Sequence, residues 1–292
     1  MRGAENTAPW VLQPKEAQRL NEILRFWEER SQKVKNYQCQ FHRWEYDAVF
    51  GPKEPNTAKA YSRGSIKYGA PDRGMFRVDE IGYHKPAEKP GGKPTYPMQA
   101  VEHLEHWICD GRSVFEYNAQ LKQLVEHPLP PELQGKSISE GPLPFLFGAT
   151  AQQLHERYWL REKQPPKDVK GEYWLEARPK RRKEAADFSA AVVILDEALF
   201  LPKALRIYLP NGGPGQNQSY TSYEFKDRQV NDLINGLKDF TNNFVRPETP
   251  KGWQKVVDQL PLDAAPQTAD KRNDQPAQPP NAGTVRPRGQ AR

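Results

Sequence analysis

The residues best suited to chemistry are two histidines, His103 and His106, because histidine is a common zinc ligand. They stand three positions apart at the start of a predicted strand. A strand turns side chains at odd spacing toward opposite faces, so the two rings cannot converge on one ion. We therefore interpret them as a polar lead-in to the strand and expect no metal site.

Paired carboxylates are the second candidates, since two acids facing one pocket can act as general acid and base. The pairs Glu102/Glu105 and Glu45/Asp47 fall where strand alternation places them in solvent. The sequence has no G-x-S-x-G motif, no phosphate-binding loop, and no G-x-G-x-x-G after a strand. We therefore expect a protein that is not an enzyme and needs no cofactor. An enzyme that uses these weak pairs is kept as a third hypothesis.

The densest basic run, residues 179–183 (PKRRK), could contact phosphates of nucleic acid or of lipid headgroups. The alternative is a solvated turn between two strands. The chain has 43 cations against 37 anions, and its net charge of +6 is a mild excess. Because the aromatic residues follow the periodicity of a core, we expect no nucleic-acid partner.

Composition divides the chain into a folded part and polar ends. Hydrophobic residues make up 36% of the chain, mean hydropathy is −0.91, and there are 28 prolines. We expect a flexible lead-in at 1–12, one domain at 13–260, and a disordered tail at 261–292, which has almost no large apolar residue. Cys39 and Cys109 fit either a single bridge or two buried free thiols.

A β-hairpin is predicted in residues 105–131. Asp110-Gly111 stands between two apolar runs, and this dipeptide is typical of a two-residue type I′ turn. Both strands carry aromatic residues on both faces, which places the hairpin inside a sheet and not at its edge. Trp107 and Phe115 are the candidate floor of a ligand cavity.

Two helical elements are predicted to cover this sheet. Residues 14–34 have apolar residues at spacings of three and four, which predicts an amphipathic helix. Residues 143–157 form an apolar flap whose short helix begins at a capping box of Thr150 and Gln153. The proposed ligand contacts on these covers are Leu24 and Trp27 of the helix and Phe145, Leu146 and Phe147 of the flap.

The first strands differ in their alternation. Residues 57–69 keep one small, apolar face, which includes Ile66 and Tyr68 and leaves space above it. In residues 37–50 the apolar set shifts by one position, and we attribute the shift to a bulge near His42 and Arg43.

About ten strands at hairpin spacing predict one antiparallel sheet, and a sheet of that length must curl. If it curls without closing, its concave face needs a cover. The predicted fold class is α+β, mainly β: a curled, incomplete antiparallel β-barrel (half-barrel) with an N-terminal amphipathic helix and a short helical lid over the concave face.

The order of these motifs resembles the LolA-like family of periplasmic lipoprotein carriers, in a longer variant of the planctomycete type. The resemblance covers about residues 14–259. Its motifs are VKNYQCQF at 34–41, DGRSVFEY at 110–117 with Gln123, LPFLF at 143–147, YWLEARPK at 173–180, and Phe244 followed by PKGWQKVV at 250–257.

The resemblance implies a hydrophobic cavity that binds acyl chains of lipoproteins or lipids reversibly. It also implies a leader sequence, a periplasmic or secreted location, and membrane-associated donor and acceptor proteins. In the family an arginine directly before a proline latches the closed lid; here Ala70 precedes Pro71, and Arg73 is the nearest substitute. The chain itself has no run of about 18 apolar residues, and residues 1–10 lack the apolar core of a signal peptide.

Two main hypotheses follow. The first is a non-enzymatic carrier or sensor of lipidated or other amphiphilic ligands, expected to be a monomer. The second is an envelope sensor or protein-interaction scaffold on the same fold, whose cavity is filled by its own side chains. The volume of the cavity distinguishes them.

Overall fold

The computed structural model describes residues 8–89, 92–100, 104–131, 134, 145–146, 150–210, 218–232 and 240–258. Phe147, His103 and the tail at 261–292 lie outside these residues, as do residues 1–7 of the lead-in. The helices are α1 (Pro14–Gln32), α2 (Ala151–Arg157), α3 (Arg182–Asp187) and a 3₁₀ turn (Asn242–Phe244). The strands are β1 (Asn36–Tyr46), β2 (Ala60–Gly69), β3 (Arg73–Tyr83), β4 (His106–Asp110), β5 (Ser113–Asn118), β6 (Gln123–Pro128), β7 (Tyr158–Lys163), β8 (Glu172–Pro179), β9 (Ala190–Asp196), β10 (Pro202–Tyr208), β11 (Tyr220–Val230) and β12 (Gln254–Val257).

The described strands form one sheet in the order β12-β6-β5-β4-β3-β2-β1-β11-β10-β9-β8-β7. Val78 of β3 and Leu175 of β8 lie far apart in this order, yet they belong to one core cluster. The sheet must therefore curl around that core. Within the described residues its two terminal strands, β7 and β12, do not pair with each other, so the predicted fold class of a mainly β, curled, incomplete barrel with helices is confirmed.

The first helix forms where the sequence predicts it. Pro14 fits the first helical turn, and the Glu16 carboxylate accepts a hydrogen bond from the Gln13 backbone N–H at 2.8 Å. The helix buries its apolar stripe, of which Leu20 and Leu24 are each 1% exposed. We call the sheet face beneath this stripe the inner face, and the opposite one the outer face.

The predicted hairpin is confirmed, but its turn lies one residue further along. Cys109 pairs with Val114, so the central turn residues are Gly111 and Arg112. Of these only Gly111 has a positive φ, +91°, which is the pattern of a type II′ turn. Asp110 fixes the turn because its Oδ1 accepts hydrogen bonds from the backbone N–H groups of Arg112 and Ser113, both at 2.8 Å.

The predicted bulge near His42 is wrong in position. The register of β1 against β11 shifts between Gln38 and Gln40. Phe41 and Arg43 both turn inward and are buried, so the inner-face alternation continues through His42. The aromatic residues beyond it, Trp44 and Tyr46, lie on the outer face, where Tyr46 stacks on Tyr220 at 4.3 Å between ring centroids.

Two elements were not predicted. Part of the basic run 179–183 begins α3, a short helix that the sequence did not predict. The strand β12 pairs in parallel with β6, which makes the sheet mixed at one edge. Both cysteines are free and buried, so of the two alternatives for Cys39 and Cys109 the structure has the free thiols.

Gly64 of β2 allows the inner face to pack. A Cβ at this position would lie 1.9 Å from the Arg77 carbonyl oxygen and 2.9 Å from Cε1 of Phe41. The ring of Phe41 lies over β2 and stacks on Phe76 of β3 at 4.8 Å. The space that the sequence predicts above this small strand is thus filled by rings from its neighbours.

Gly64→Ala should lower the free energy of unfolding by at least about 2 kcal/mol, because an added methyl group must displace backbone or a stacked ring. Urea unfolding monitored by far-ultraviolet circular dichroism measures the change. Arg63→Ala at the adjacent outer-face position is the control and should change little, since its ion pair with Glu80 is exposed. Equal stability of Gly64→Ala and the native chain would contradict this packing.

Candidate functional site

The inner face brings together most of the residues that the sequence selects for ligand contact. Six of them are buried in one apolar cluster, and Trp107 packs against it partly buried. The six come from α1, β2 and the flap: Leu24, Trp27, Ile66, Tyr68, Phe145 and Leu146.

A row of stacked rings crosses the middle of this face. Tyr223 packs at 6.0 Å on Phe41, which stacks on Phe76, and Phe76 stacks on Trp107 at 5.6 Å. The register explains the row, because Trp107 pairs directly with Phe76 across β3 and β4. Trp107 is therefore on the inner face, as the sequence predicts.

The flap residues close the face at two points. Phe145 lies 5.0 Å from Tyr158 and 6.0 Å from Phe188, measured between ring centroids. Leu146 lies over a gap that is also lined by Tyr37, Cys39, Ile66, Pro202 and Phe225. The gap has no space that a water molecule could enter. At this point, among the described residues, the inner face is thus filled by the protein's own side chains.

The polar groups at this gap carry no charge at neutral pH. Burial raises the pKa of the Cys39 thiol to about 11, although the Tyr37 hydroxyl and Arg228 act in the opposite direction. Burial also raises the pKa of Tyr37 far above its usual range. The gap therefore presents an apolar lining with neutral hydroxyl and thiol groups, which suits a hydrocarbon chain better than an ion.

A buried arginine marks the polar end of the inner face. Arg43 is 1% exposed; its two terminal nitrogens donate to the Glu105 carboxylate at 2.9 and 2.7 Å, and its Nε donates to Ser62 Oγ at 2.8 Å. Burial alone would lower the pKa of Arg43, but the Glu105 carboxylate outweighs it and holds the pKa above the ordinary value. The sequence did not lead us to predict this ion pair. A signal for it was present, because Arg43 lies two residues after the inward-facing Phe41 and a strand turns such residues to the same face.

Two predicted site residues lie on the other side of the sheet. Phe115 pairs with Ile108, one position out of phase with Trp107, and Arg246 lies over its ring at 5.5 Å. Phe115 is therefore an outer-face residue, and the expectation that it shares a cavity floor with Trp107 is corrected. The register across the two-residue turn decides this, because Trp107 lies opposite Glu116 and Phe115 lies opposite the next residue, Ile108.

Arg73, the candidate lid latch, also faces outward. It pairs with Gly69, whose outer side is turned toward the ring of Phe244. The side chain is exposed and lies on the face opposite to the one that Phe145 and Leu146 cover.

No group of three or more His, Cys, Asp and Glu residues in the described part of the chain could hold a metal ion. His106 stacks on Tyr117 at 4.4 Å, and burial lowers its pKa to about 4, so it is neutral at pH 7. Among the described helices, none is both long and apolar enough to cross a membrane.

Comparison with known proteins gives similarity in structure but not in sequence. No family model and no curated protein matches the chain. The chain is similar to an uncharacterised conserved protein from Thermus thermophilus, with 15% identity, a TM-score of 0.40, and 83% of this chain and 99% of that one covered. It is also similar to a putative outer membrane lipoprotein-sorting protein domain from Vibrio parahaemolyticus, with 14% identity, a TM-score of 0.31, and coverage of 78% and 98%.

A LolA superfamily protein from Nitrosomonas europaea is a third similar structure, with 11% identity, a TM-score of 0.31, and 73% of this chain and 94% of that one covered. The resemblance that the sequence motifs predict is therefore matched among solved structures. At these identities and scores the similarity carries no argument about function, which must come from the site itself.

Arg43→Met should lower the free energy of unfolding by about 3 kcal/mol, because it leaves the Glu105 carboxylate without its cation at a partly buried position. Chemical denaturation gives the value. Arg77→Met, which removes an exposed pair with Asp79, is the matched control and should change little. A second substitution, Glu105→Leu, should recover part of the loss; no recovery would mean that Arg43 acts through packing alone.

Proposed function

We propose that the chain is a non-enzymatic binding protein for acyl chains, and that lipidated proteins or lipids of the cell envelope supply them. The binding site is the inner face of the sheet, and α1 and the flap residues Phe145 and Leu146 are its cover. The observation that carries the proposal is the gap under Leu146, where the described lining side chains are apolar apart from the neutral Tyr37 hydroxyl and Cys39 thiol. Such a lining offers a hydrocarbon chain contacts without the cost of an unpaired charge.

Binding requires that the cover exchange with the ligand, since the face is filled in the present conformation. The contacts of Phe145 with Tyr158 and Phe188 are apolar contacts between rings. Breaking these contacts does not break a hydrogen bond of Phe145, because its side chain has no donor or acceptor. An acyl chain that replaces Phe145 and Leu146 restores similar apolar contacts. Each buried CH₂ group contributes about 0.8 kcal/mol, so a chain of ordinary length outweighs the contacts of two side chains.

This exchange also gives reversibility without an energy source. The displaced flap remains attached to the chain and competes for the same surface at a high local concentration. Carriage between a donor and an acceptor protein at membranes is the finer form of the proposal, with one chain acting as a monomer in the periplasm or another envelope space.

A self-filled scaffold is the second candidate, and the narrowness of the gap favours it. In that case Phe145 and Leu146 are ordinary core residues and do not exchange with a ligand. The two functions predict different results when a residue of the cover is replaced by a smaller one. Only a face that binds acyl chains should then bind an added fatty acid more tightly.

Leu146→Ala should strengthen binding of a dansyl-labelled fatty acid to delipidated protein, since the acyl chain of the probe no longer competes with a leucine side chain. The native protein should bind the same probe more weakly but measurably, as followed by dansyl fluorescence. The free energy of unfolding of the variant should fall by about 2–4 kcal/mol without ligand.

Phe244→Ala is the matched control, because it removes a buried ring from the separate outer-face cluster with Met75 and Ile108. It should lose comparable stability with unchanged probe affinity. If neither the native chain nor Leu146→Ala binds the probe, acyl-chain binding is wrong and the scaffold is supported. If Phe244→Ala gains affinity as much as Leu146→Ala, the probe enters any new cavity and the inner face is not its site.

A further inference from the structure

A second space lies outside the core, at the free edge of the sheet. It is a cleft of about 580 Å³ between the segment 10–12, the first turns of α1, and residues 161–164 of β7 and its end. This volume lies within the range of ligand-binding clefts. The cleft is separate from the inner-face gap and serves no part of the proposed acyl-chain binding.

The strand β7 has free backbone groups in this cleft. It is a terminal strand of the sheet, and its only strand partner among the described residues is β8. The Trp10 indole Nε1–H donates to the Leu160 carbonyl oxygen at 3.2 Å, while the Lys180 N–H donates to the Arg157 carbonyl oxygen at 2.9 Å. Odd-numbered residues of β7 thus bond to β8, and even-numbered ones point to the free edge.

The free edge is covered at one position only among the described residues. Trp10 crosses it at Leu160, and its ring also lies 4.3 Å below the guanidinium of Arg161. By the same alternation, the next outward backbone groups belong to Glu162. Gln164 directly follows the last residue of β7, and we infer the same orientation for it by extending the alternation one step; both residues line the cleft. Within the described part of the chain, no residue forms a hydrogen bond to the backbone of these two. They offer two N–H groups and two carbonyls to an added strand.

The side chains that line the cleft include more cations than anions. Glu162 accepts a hydrogen bond from Arg19 Nε at 2.8 Å, and Arg161 pairs with the Glu176 carboxylate at 2.6 Å, so these two cations are already paired within the protein. The Glu16 carboxylate accepts the Gln13 backbone N–H, which leaves its negative charge in place. Lys163 is only weakly paired, 3.9 Å from Glu176, and within the described chain no carboxylate pairs with Lys15. The ionic lining residues are the cations Lys15, Arg19, Arg161 and Lys163 and the anions Glu16 and Glu162.

We propose that the cleft is a docking site for an extended acidic polypeptide segment, which adds to β7 beside Glu162 and Gln164. Backbone hydrogen bonds to these two residues provide affinity, and carboxylates of the segment pair with Lys15 and Lys163. A row of alternating backbone donors and acceptors matches another polypeptide backbone. Trp10 limits the added strand to the part of β7 beyond Leu160.

The probe is a fluorescein-labelled hexapeptide of alternating glutamate and valine, followed by fluorescence anisotropy with the full-length chain. It should bind, and a peptide with lysine in place of glutamate should not. The same acidic peptide with N-methylated backbone amides should lose at least about tenfold in affinity, because it cannot donate to the edge. If the peptide fails to bind, or the N-methylated form binds equally well, strand addition at this site is wrong.

Two sets of variants locate the site. Gln164→Pro removes an outward N–H that β8 does not use, and it should weaken binding, whereas Gln164→Ala should not. Lys15→Glu combined with Lys163→Glu should weaken binding at least about tenfold, while Lys53→Glu with Lys251→Glu, a control of the same charge change elsewhere, should have a small effect. Equal losses in the two double variants would show attraction by net charge alone and overturn the proposal. None of these variants touches the inner face, so dansyl fatty-acid binding should stay unchanged in all of them.

Discussion

Most of the inner face of the sheet is apolar, with Arg43 and Ser62 at its polar end, and the exclusion of this face from water is the constraint on which the other features depend. A sheet that curls without closing leaves this face open, so it must be covered by helices or by loops. Here α1 covers part of it with a stripe whose central leucines are almost fully buried. Phe145 and Leu146, which are 4% and 5% exposed, cover a further part, and Leu154 of α2 is buried in the same core cluster. The described part of the cover thus combines a long helix with the short helix α2 and two residues of the segment before it.

The outer face is arranged differently, because the C-terminal segment crosses only one end of it. Phe244 fills a small cluster there, and Arg246 pairs with Glu126 at 2.6 Å between Nη2 and Oε2. Lys255 of β12 contacts the same carboxylate at 2.7 Å. Burial would raise the pKa of Glu126, but its hydrogen bonds with Lys255 and Ser113 hold that pKa below its usual value. The C-terminal segment is therefore held by ion pairs as well as by the apolar contacts of Phe244 and the pairing of β12 with β6, whereas the contacts described for the inner cover are mainly apolar.

Much of the fold could be predicted because local signals and periodicity agree in it. The stripe of α1, the capping box at Thr150 and the alternation of residues 57–69 each depend on neighbours in sequence, and each is confirmed. The bulge was misplaced because Arg43 looks like a surface residue until Glu105, distant in sequence, buries it. The parallel pairing of β12 was missed because a strand of four residues is too short to show a periodic pattern in the sequence.

The candidate site was predicted less completely than the fold, and the reason lies in register. Counting along the chain places Trp107 in a strand, but only the pairing across the turn decides that Phe115 faces the other way. The filling of the face could not be predicted either, because it depends on the rings of Phe41 and Phe76 meeting over Gly64.

A filled inner face and a ligand-binding inner face are compatible when the cover and the ligand have the same chemistry. The stack of Phe41, Phe76 and Trp107 is built on paired strands, which fix the positions of its rings independently of Phe145 and Leu146 in sequence. Phe145 and Leu146 belong to no strand of the sheet, and their loss exposes a surface that is already shaped. Under the proposed function, an acyl chain that replaces them would meet an apolar wall that is already ordered, which would lower the entropy cost of binding. A cover that combines an anchored helix with residues outside the sheet would then allow one closed structure both to protect its core and to bind a hydrocarbon chain.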